Sequence, residues 1–287
     1  MELLLGVFFF ILGAIVGSFL NVVILRYHTG KTLLGRSHCS SCGRVIAWHD
    51  LIPILSFFLL RGRCRFCKSK LSVQYPLVEM ATALLFLGVS LRYSALFSSP
   101  YPLPATYYLI FLIDLLSFCL LVVITAYDLK HKIIPNLIVY LFVSISFIRT
   151  VMLTPTANLI HFSGLVHLLD GPLVALPLFL LWLFSRGRWI GLGDAKLSLG
   201  IGWFLTLLPA VSAEVIGFWI GAIVGLLLIA VSKLEHTPLA RRLFSRWRLS
   251  PVTLKSEMPL APFLIIGLAL VYFWGFDVTG FAVMFTT

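Results

Sequence analysis

The chain has 287 residues, of which 60% are hydrophobic and 11% are charged, and its formal net charge is +11. Soluble globular proteins carry about 25% charged residues, so the composition argues against a soluble fold. A net positive charge is also found in nucleic-acid-binding proteins, but here the positions of the Lys and Arg residues favour a bias between the two sides of a membrane.

The first apolar segment, residues 3–25, contains no charged side chain. A helix that crosses a bilayer needs about 20 such residues. Because the N-terminus carries Glu2 and neither Lys nor Arg, it lacks the basic region of a cleaved signal peptide. We therefore expect residues 3–25 to be retained as a membrane span.

Further apolar segments predict an all-α fold, a polytopic membrane helix bundle with about eight spans. The expected spans are residues 3–25, 77–92, 107–127, 133–153, 164–184, 195–212, 213–232 and 260–276. The fourth span contains Arg149 and the fifth contains Asp170. We expect neighbouring helices or the membrane interface to accommodate these side chains.

The basic residues lie on one side of this topology. If the loop after the first span is cytoplasmic, residues 26–76, 128–136, 185–196 and 233–258 hold nine, two, three and six Lys or Arg, which is 20 of the 22. Only Arg92 and Arg149 fall on the other side. This bias predicts that these loops are cytoplasmic and that both termini lie outside. It accounts for the net charge without a nucleic-acid partner.

Four of the five cysteines form two CxxC pairs. Cys39 and Cys42 are followed, after 21 residues, by Cys64 and Cys67. Two such pairs at about this spacing predict a tetrahedral zinc site, with two thiolates from each tight turn. Since four protein ligands leave no open position, we expect the zinc to be structural. A cytoplasmic loop favours reduced thiols; two disulfides in an extracytoplasmic loop are the alternative.

An apolar segment, residues 51–60, lies between the two pairs, with Trp48 beside it. About ten residues are too few to cross a bilayer, so we expect the segment to lie in the membrane interface or to re-enter the membrane. The zinc site would then hold an amphipathic flap over the cytoplasmic face, with membrane lipid as a partner.

Two aspartates lie where a long apolar segment meets a short basic loop. Asp128 is in Tyr-Asp-Leu-Lys-His-Lys (127–132), and Asp194 is in Gly-Leu-Gly-Asp-Ala-Lys (191–196). Acids at a membrane boundary are costly and are therefore functional candidates. Two carboxyls that share one proton supply an acid and a base, which is the minimum for activating water on a peptide bond. The alternative is that each carboxylate caps or solvates a helix end.

Other acids are weaker candidates. Asp114 lies 14 residues before Asp128, about 21 Å along a helix, so it is too far away to belong to the same site. We expect it to pair with a polar group on another helix or to line a cavity. Glu79 begins the second span and could border the active site, although structural pairing with a Lys or Arg of the loop is the simpler expectation.

These motifs resemble those of the bacterial type IV prepilin peptidases, which are bifunctional leader peptidases and N-methyltransferases. The resemblance covers most of the chain, from Gly17-Ser-Phe-Leu-Asn-Val-Val-Ile-Leu-Arg26 through the cysteine loop to both aspartate motifs. The Gly-x-Gly-Asp signature also occurs in presenilin-like intramembrane aspartyl proteases, but its combination with the cysteine pairs is specific. Two departures are Ser40, where the family usually has Pro, and Met258-Pro-Leu-Ala-Pro262, a looser form of a Pro-Phe-Gly-Pro element.

The resemblance implies a membrane aspartyl endopeptidase of the bacterial inner membrane, with Asp128 and Asp194 as its catalytic pair. The substrate would be a prepilin or pseudopilin precursor of a pilus or protein-secretion system, cleaved after a Gly at the cytoplasmic membrane face. The resemblance further implies that the new N-terminal residue is methylated with S-adenosylmethionine. That cofactor depends on the resemblance alone, because the sequence has no glycine-rich strand–turn–helix that would bind it.

The expected organisation is a first span at residues 1–26, a cytoplasmic zinc-binding loop at 27–76 and a catalytic helix bundle at 77–287. Two other functions are compatible with the residues. A zinc-clipped scaffold or transporter would more naturally place paired acids near the midplane and show repeat symmetry. A presenilin-type protease would hold its aspartates deeper in the membrane and would not need the cysteine loop.

Overall fold

A computed structural model of the chain consists of helices joined by loops and turns. It describes residues 2–29, 32, 35–98, 101, 103–154, 162–234 and 258–278. Within these ranges there is no β-strand, and two isolated antiparallel bridges join His38 to Val45 and Arg63 to Lys70. The all-α membrane bundle expected from the sequence is confirmed. Of the loop expected at 233–258, residues 235–257 lie outside the described residues.

The helices follow one another along the chain with short connections. They are α1 (Glu2–Arg26), a 3-10 turn (Trp48–Leu51), α2 (Leu55–Leu59), α3 (Gln74–Arg92), α4 (Ser94–Ser98), α5 (Ala105–His131), α6 (Asn136–Leu153), α7 (Phe162–Ser185), α8 (Leu192–Leu205), α9 (Leu207–Leu234) and α10 (Ala261–Trp274). Six of these, α1, α3, α5, α6, α7 and α9, are long and apolar enough to cross a membrane. Helices α8 and α10 have 14 residues each. The eight expected spans therefore correspond to six long helices and two short ones.

The boundary between the sixth and seventh expected spans is not where the sequence placed it. We expected spans at 195–212 and 213–232, whereas α8 ends at Leu205 and α9 begins at Leu207. Thr206 has a φ of +73°, which interrupts the helical conformation. Pro209 follows in the first turn of α9 and has no N–H with which to continue α8. As a result α9 reaches 28 residues and α8 is short.

The chain forms two compact units. The first comprises Met1–Tyr127 and Pro135–Ala157, and the second comprises Asp128–Ile134 and Asn158–Thr287. The unit boundary falls inside α5, so the last turn of that helix belongs to the second unit. Asp128 is consequently in the same unit as Asp194.

In the first unit, α1 packs closely on α3. A side chain at Gly13 would come within 2.8 Å of the Ala83 Cα, and one at Gly17 within 2.8 Å of the Glu79 Cα. Only glycine allows two helices to approach this closely at these positions. The contact fixes the start of α3, where Glu79 lies.

In the second unit, the short helix α8 is packed against α7, and α9 against α10. A side chain at Gly202 of α8 would come within 2.7 Å of the Gly171 Cα of α7, and the indole N–H of Trp203 donates to the carbonyl oxygen of Leu168 at 2.9 Å. The apolar side chains of α8 that are fully buried are Leu197, Ile201 and Phe204. Burial of these side chains positions the first turn of α8, which carries Asp194.

Candidate active site and metal site

Asp194 lies in the first turn of α8 and follows Gly191 and Gly193. Its carboxylate accepts hydrogen bonds from the backbone N–H groups of Gly191 and of Asp194 itself. The start of a helix stabilises a negative charge, so this position suits a carboxylate. Gly193 lies against Ile134, and a Cβ at this glycine would be 2.9 Å from the Cβ of Ile134. The Gly-x-Gly-Asp sequence therefore permits close packing of α8 on the segment that follows Asp128.

Asp128 lies in the last turn of α5 and is 5% exposed. Its carboxylate accepts a hydrogen bond from the backbone N–H of Ala261, the first residue of α10. The Oδ2 atom is buried and has no hydrogen-bond partner among the described residues. A buried acceptor without a donor costs free energy, so this oxygen is a candidate for binding water or substrate.

The two aspartates belong to the second unit, and the residue before Asp194, Gly193, packs against Ile134 of the segment that follows Asp128. Two carboxyls in this relation are suited to sharing one proton. The two acids singled out in the sequence are thus brought into one site at helix ends. Their catalytic role stays a prediction.

Asp114 belongs to a buried ion pair in the first unit. The Nε of Arg149 donates to its Oδ1 at 2.6 Å, and the hydroxyl of Tyr93 donates to its Oδ2 at 2.8 Å. The side chain of Asp114 is fully buried, and that of Arg149 is 11% exposed. The expectation that Asp114 pairs with a polar group on another helix is confirmed, and the pair also explains how Arg149 is accommodated in a span.

Glu79 is buried at the start of α3. Its Oε2 accepts the backbone N–H of Ile54 at 2.7 Å, and its carboxylate also hydrogen-bonds the hydroxyl of Ser18. The expectation of a Lys or Arg partner from the loop was wrong in the part of the chain that the structure describes. The backbone N–H of the apolar segment takes the place of a cation.

Glu214 is a buried acid that the sequence analysis missed. It is hydrogen-bonded to Ser198 of α8, and the Ser198 hydroxyl also donates to the carbonyl oxygen of Val174 in α7 at 3.2 Å. Ser198 lies one turn after Asp194, so these contacts join α7, α8 and α9 next to the aspartate turn. An acid inside an apolar span was the available signal. The span boundary expected at 212/213 placed Glu214 at a helix end, whereas it is the eighth residue of α9.

The four cysteines of the two CxxC pairs converge in the first unit. The Sγ atoms of Cys39, Cys42, Cys64 and Cys67 all lie within 4.8 Å of one another. All four are free thiols, and the sulfurs of Cys39 and Cys67 are 3.8 Å apart, well beyond the roughly 2.05 Å of a disulfide. The cluster can hold a metal ion, as its spacing predicted.

The two CxxC pairs are built as matching turns. The backbone N–H groups of Cys39 and Cys64 each donate, at 2.9 Å, to the carbonyl oxygen five residues later. The residue after the second cysteine is left-handed in both turns, Gly43 with a φ of +69° and Lys68 with a φ of +60°. Each turn thereby directs two thiols to one point.

The surroundings of the thiols favour metal binding at part of the cluster. Backbone N–H groups, that of Cys42 first, lower the pKa of Cys39 to about 6. The hydroxyl of Ser69 lowers the pKa of Cys67. The N–H of Arg44 lowers the pKa of Cys42, but desolvation and the neighbouring thiols outweigh it and raise that pKa to about 11. A bound cation would favour the thiolate form of all four.

The apolar segment between the two turns exposes large side chains. Trp48, Phe58 and Leu59 are 79%, 66% and 72% exposed. They lie on the 3-10 turn and on α2, which have four and five residues and are too short to cross a bilayer. Exposed apolar side chains on short helices suit the expected position in the membrane interface.

Comparison with known proteins identifies relatives over both halves of the chain. Residues 11–93 match the bacterial peptidase A24 N-terminal domain, and residues 115–229 match the type IV leader peptidase family. The prepilin leader peptidase/N-methyltransferase of Myxococcus xanthus is 34% identical over 79% of this chain and 64% of that protein. The protein of the same name from Vibrio cholerae is 30% identical over 70% of this chain and 78% of its own length. That from Bacillus subtilis is 27% identical over 95% of both chains.

The chain covers less than two thirds of some relatives. It aligns with 64% of the Myxococcus xanthus protein and with 36% of the Escherichia coli enzyme named type 4 prepilin-like proteins leader peptide-processing enzyme. No solved structure matches the chain. The two domain matches and the Vibrio cholerae relative, aligned over most of its own length, nevertheless agree on one assignment, and the chain belongs to the type IV leader peptidase family.

Proposed function

We propose that the chain is a membrane aspartyl endopeptidase that removes the leader peptide from prepilin-like precursors and then N-methylates the new N-terminal residue. The observation that carries the peptidase assignment is that Asp128 and Asp194 lie at helix ends of the same unit, with an unpartnered Oδ2 on Asp128 and with Gly193 packed against Ile134, six residues after Asp128. The names of the relatives, prepilin leader peptidase/N-methyltransferase, support the substrate class and the second reaction.

The proposed peptidase chemistry needs only the carboxyl pair and one water. One carboxylate accepts a proton from water as the water oxygen attacks the scissile carbonyl carbon, while the protonated partner donates to the carbonyl oxygen. When the intermediate collapses, the C–N bond breaks, the leaving nitrogen takes the proton from the first carboxyl, and the new carboxyl product returns one to the second. The pair regains its single proton. The roles of acid and base are properties of the pair and not of one aspartate each.

We propose that the cysteine loop and both aspartates face the cytoplasm, in the inner membrane of a bacterium. Six membrane-length helices support the multi-pass arrangement. The placement of 20 of the 22 Lys and Arg residues on one side supports the orientation. In this proposal residues 1–26 are the first span, 27–76 the cytoplasmic loop and 77–287 the catalytic bundle. A scissile bond at the cytoplasmic end of a membrane helix can then meet both water and the acids.

We propose zinc as the ion of the cysteine cluster. The edge of a tetrahedron with Zn–S distances of about 2.3 Å is about 3.8 Å, and the sulfurs of Cys39 and Cys67 are 3.8 Å apart. Four thiolates close the coordination sphere, so Cys39, Cys42, Cys64 and Cys67 would hold a structural ion. Its role would be to fix the apolar segment 51–60 between the two turns.

S-adenosylmethionine is proposed as the methyl donor because the relatives are named N-methyltransferases. When bound, it supplies an electrophilic methyl group to the amine that cleavage frees. The chain would have to hold that amine and the donor next to each other.

The test uses membranes that contain the chain and a prepilin-like substrate. Wild type should release the leader, whereas Asp128→Asn and Asp194→Asn should not, because an amide cannot exchange the proton. Asp114→Asn, on the same helix as Asp128, is the matched control and should still cleave. Cleavage by either active-site variant at the wild-type rate would remove that residue from the site. No cleavage by wild type on several such substrates would favour the scaffold or transporter function.

A further inference from the structure

The side-chain amide of Asn21 on α1 has hydrogen-bond partners for its nitrogen but none for its oxygen among the described residues. Its Nδ2 donates to the carbonyl oxygens of Gly17 at 3.3 Å and of Tyr75 at 3.1 Å. The reverse orientation of the amide would point Oδ1 at both carbonyls, so these partners fix the orientation. Oδ1 is therefore a buried acceptor, on a residue 1% exposed, with no donor in the described part of the chain.

Glu79 lies on the same contact between α1 and α3. Asn21 follows Gly17 by one turn of α1, and Glu79 follows Tyr75 by one turn of α3. Since Gly17 packs directly on the Cα of Glu79, the amide and the carboxylate lie in one polar region between these helices. Neither group belongs to the peptidase pair, and Glu79 is the one buried acid described in this region.

Glu79 accepts hydrogen bonds from the Ser18 hydroxyl and from the Ile54 N–H, and the second of these donors comes from a strained turn. Ile54 has φ +63° and ψ −56°, a conformation that β-branched residues rarely adopt. The N–H of Leu55 donates to the carbonyl oxygen of Pro53 at 2.6 Å, which closes a three-residue γ-turn around Ile54. The contact between the Ile54 N–H and Glu79, at 2.7 Å, holds the turn in place. A ligand with a stronger donor can replace this N–H and release the strain.

The chemistry of the ligand follows from the hydrogen-bond donors that this polar region lacks. Asn21 Oδ1 and the Glu79 carboxylate are both acceptors, and one of them is charged, so together they select a cation with several N–H donors. We propose that Asn21 and Glu79 bind a primary ammonium group, which displaces the N–H of Ile54 from Glu79. The identity of the ligand rests on the proposed function. Two sources carry this group, the new N-terminus of the processed substrate and the amino-acid end of S-adenosylmethionine.

The first test measures binding of two synthetic membrane-helix peptides to the full-length chain in nanodiscs. One peptide has a free N-terminal amine and its twin is N-acetylated. If the processed N-terminus is the ligand, wild type should bind the free amine about tenfold more tightly, because acetylation removes the charge-assisted hydrogen bonds. Glu79→Gln should abolish most of this preference. Ser90→Ala is the matched control, because Ser90 is a buried residue of α3 whose hydroxyl bonds to Leu87 of its own helix.

The second test measures S-adenosylmethionine binding by equilibrium dialysis without peptide. Loss of the amine preference in Glu79→Gln, with unchanged S-adenosylmethionine affinity, identifies the processed N-terminus as the ligand. A loss of about tenfold in S-adenosylmethionine affinity, with the peptide result unchanged, identifies the donor. If Glu79→Gln matches wild type in both assays, the proposal is overturned and the cluster only joins α1 to α3.

A second variant keeps the inference testable if Glu79→Gln does not accumulate. Ile54→Gly keeps the N–H but removes the strain, so it should stabilise the contact with Glu79 and weaken binding of the ammonium ligand several-fold. Unchanged or tighter binding by this variant would contradict the displacement. Neither assay needs cleavage or methyl transfer. A chain that fails to process any prepilin would therefore refute the proposed function while these binding results still decide the inference.

Discussion

Helix α5 carries two buried acids whose surroundings differ in kind. Asp114 receives hydrogen bonds from Arg149 at 2.6 Å and from Tyr93 at 2.8 Å, so a cation and a hydroxyl compensate its burial. Asp128 receives the backbone N–H of Ala261 and keeps an Oδ2 with no partner among the described residues. The two acids are similarly buried, but only Asp128 keeps unfilled hydrogen-bonding capacity, which supports the role proposed for it.

The largest expected effect is on activity, at the proposed catalytic pair. Asp128→Asn and Asp194→Asn should each lower the rate of leader removal by about 10³-fold or more, because each removes a proton-transfer group of the pair. Asp114→Asn, normalised to folded protein, should cleave at close to the wild-type rate. Initial rates on a purified prepilin-like substrate measure all three. A rate for Asp128→Asn within tenfold of wild type would end the distinction between the two acids.

The next largest effect is on the free energy of unfolding, at Asp114, whose carboxylate has hydrogen-bond donors. Arg149→Leu leaves Asp114 buried without its cation and should cost about 3–5 kcal/mol of unfolding free energy. The double variant Asp114→Leu/Arg149→Leu removes both charges and should recover most of that loss. Unfolding in mixed micelles measures the two variants side by side. Equal losses in the single and double variants would mean that the ion pair is not what matters at this position.

The four thiols of the cysteine cluster, unlike Asp114, would be compensated by a bound metal ion and not by another side chain. Cys39→Ser removes a thiolate and should lower the bound metal from one ion per chain to well below one, because the four-sulfur sphere is incomplete. The loop at residues 35–73 should then be cleaved faster by added protease. Elemental analysis and a proteolysis time course measure these outcomes, and Cys119→Ala is the control outside the cluster. Retention of one full equivalent by Cys39→Ser would place the metal elsewhere.

The smallest effect sharpens the comparison at Asp128 itself. Since its Oδ2 has no donor to lose, Asp128→Asn should change the unfolding free energy by no more than about 1 kcal/mol. Asp114→Asn should lower it by clearly more, because Arg149 then faces a neutral amide. The same micelle experiment compares them. A large loss of stability in Asp128→Asn would show that this acid is structural too.

The sites predicted well from the sequence are those set by local spacing. Each CxxC pair closes within one turn, so the convergence of Cys39 with Cys64 needed only that the two turns meet. The helices of the bundle followed from runs of apolar residues of sufficient length. Asp194 was singled out because two glycines and a basic loop lie next to it, and its catalytic role stays a prediction. Gly193 allows the close approach of Ile134.

Partners distant in sequence could not be predicted. Nothing near Asp114 indicates Arg149, which is 35 residues away, and nothing near Glu79 indicates the Ile54 N–H. Glu214 was missed because the break at Thr206 moved the start of α9 and placed this acid inside the helix. These features depend on which helix faces come into contact, which a single sequence with uniformly apolar spans does not specify.

The two 14-residue helices have a consequence for the lipid around them. At 1.5 Å per residue, α8 and α10 are about 21 Å long, whereas the hydrocarbon core of a bilayer is about 30 Å thick. Such hydrophobic mismatch is relieved by local thinning of the membrane. Because α8 begins beside Asp194 and α10 begins at the N–H bound to Asp128, we expect the thinned patch to surround the acids. If the proposed function holds, a substrate helix of full length would be too long for that patch, which would favour its departure into thicker bilayer after cleavage.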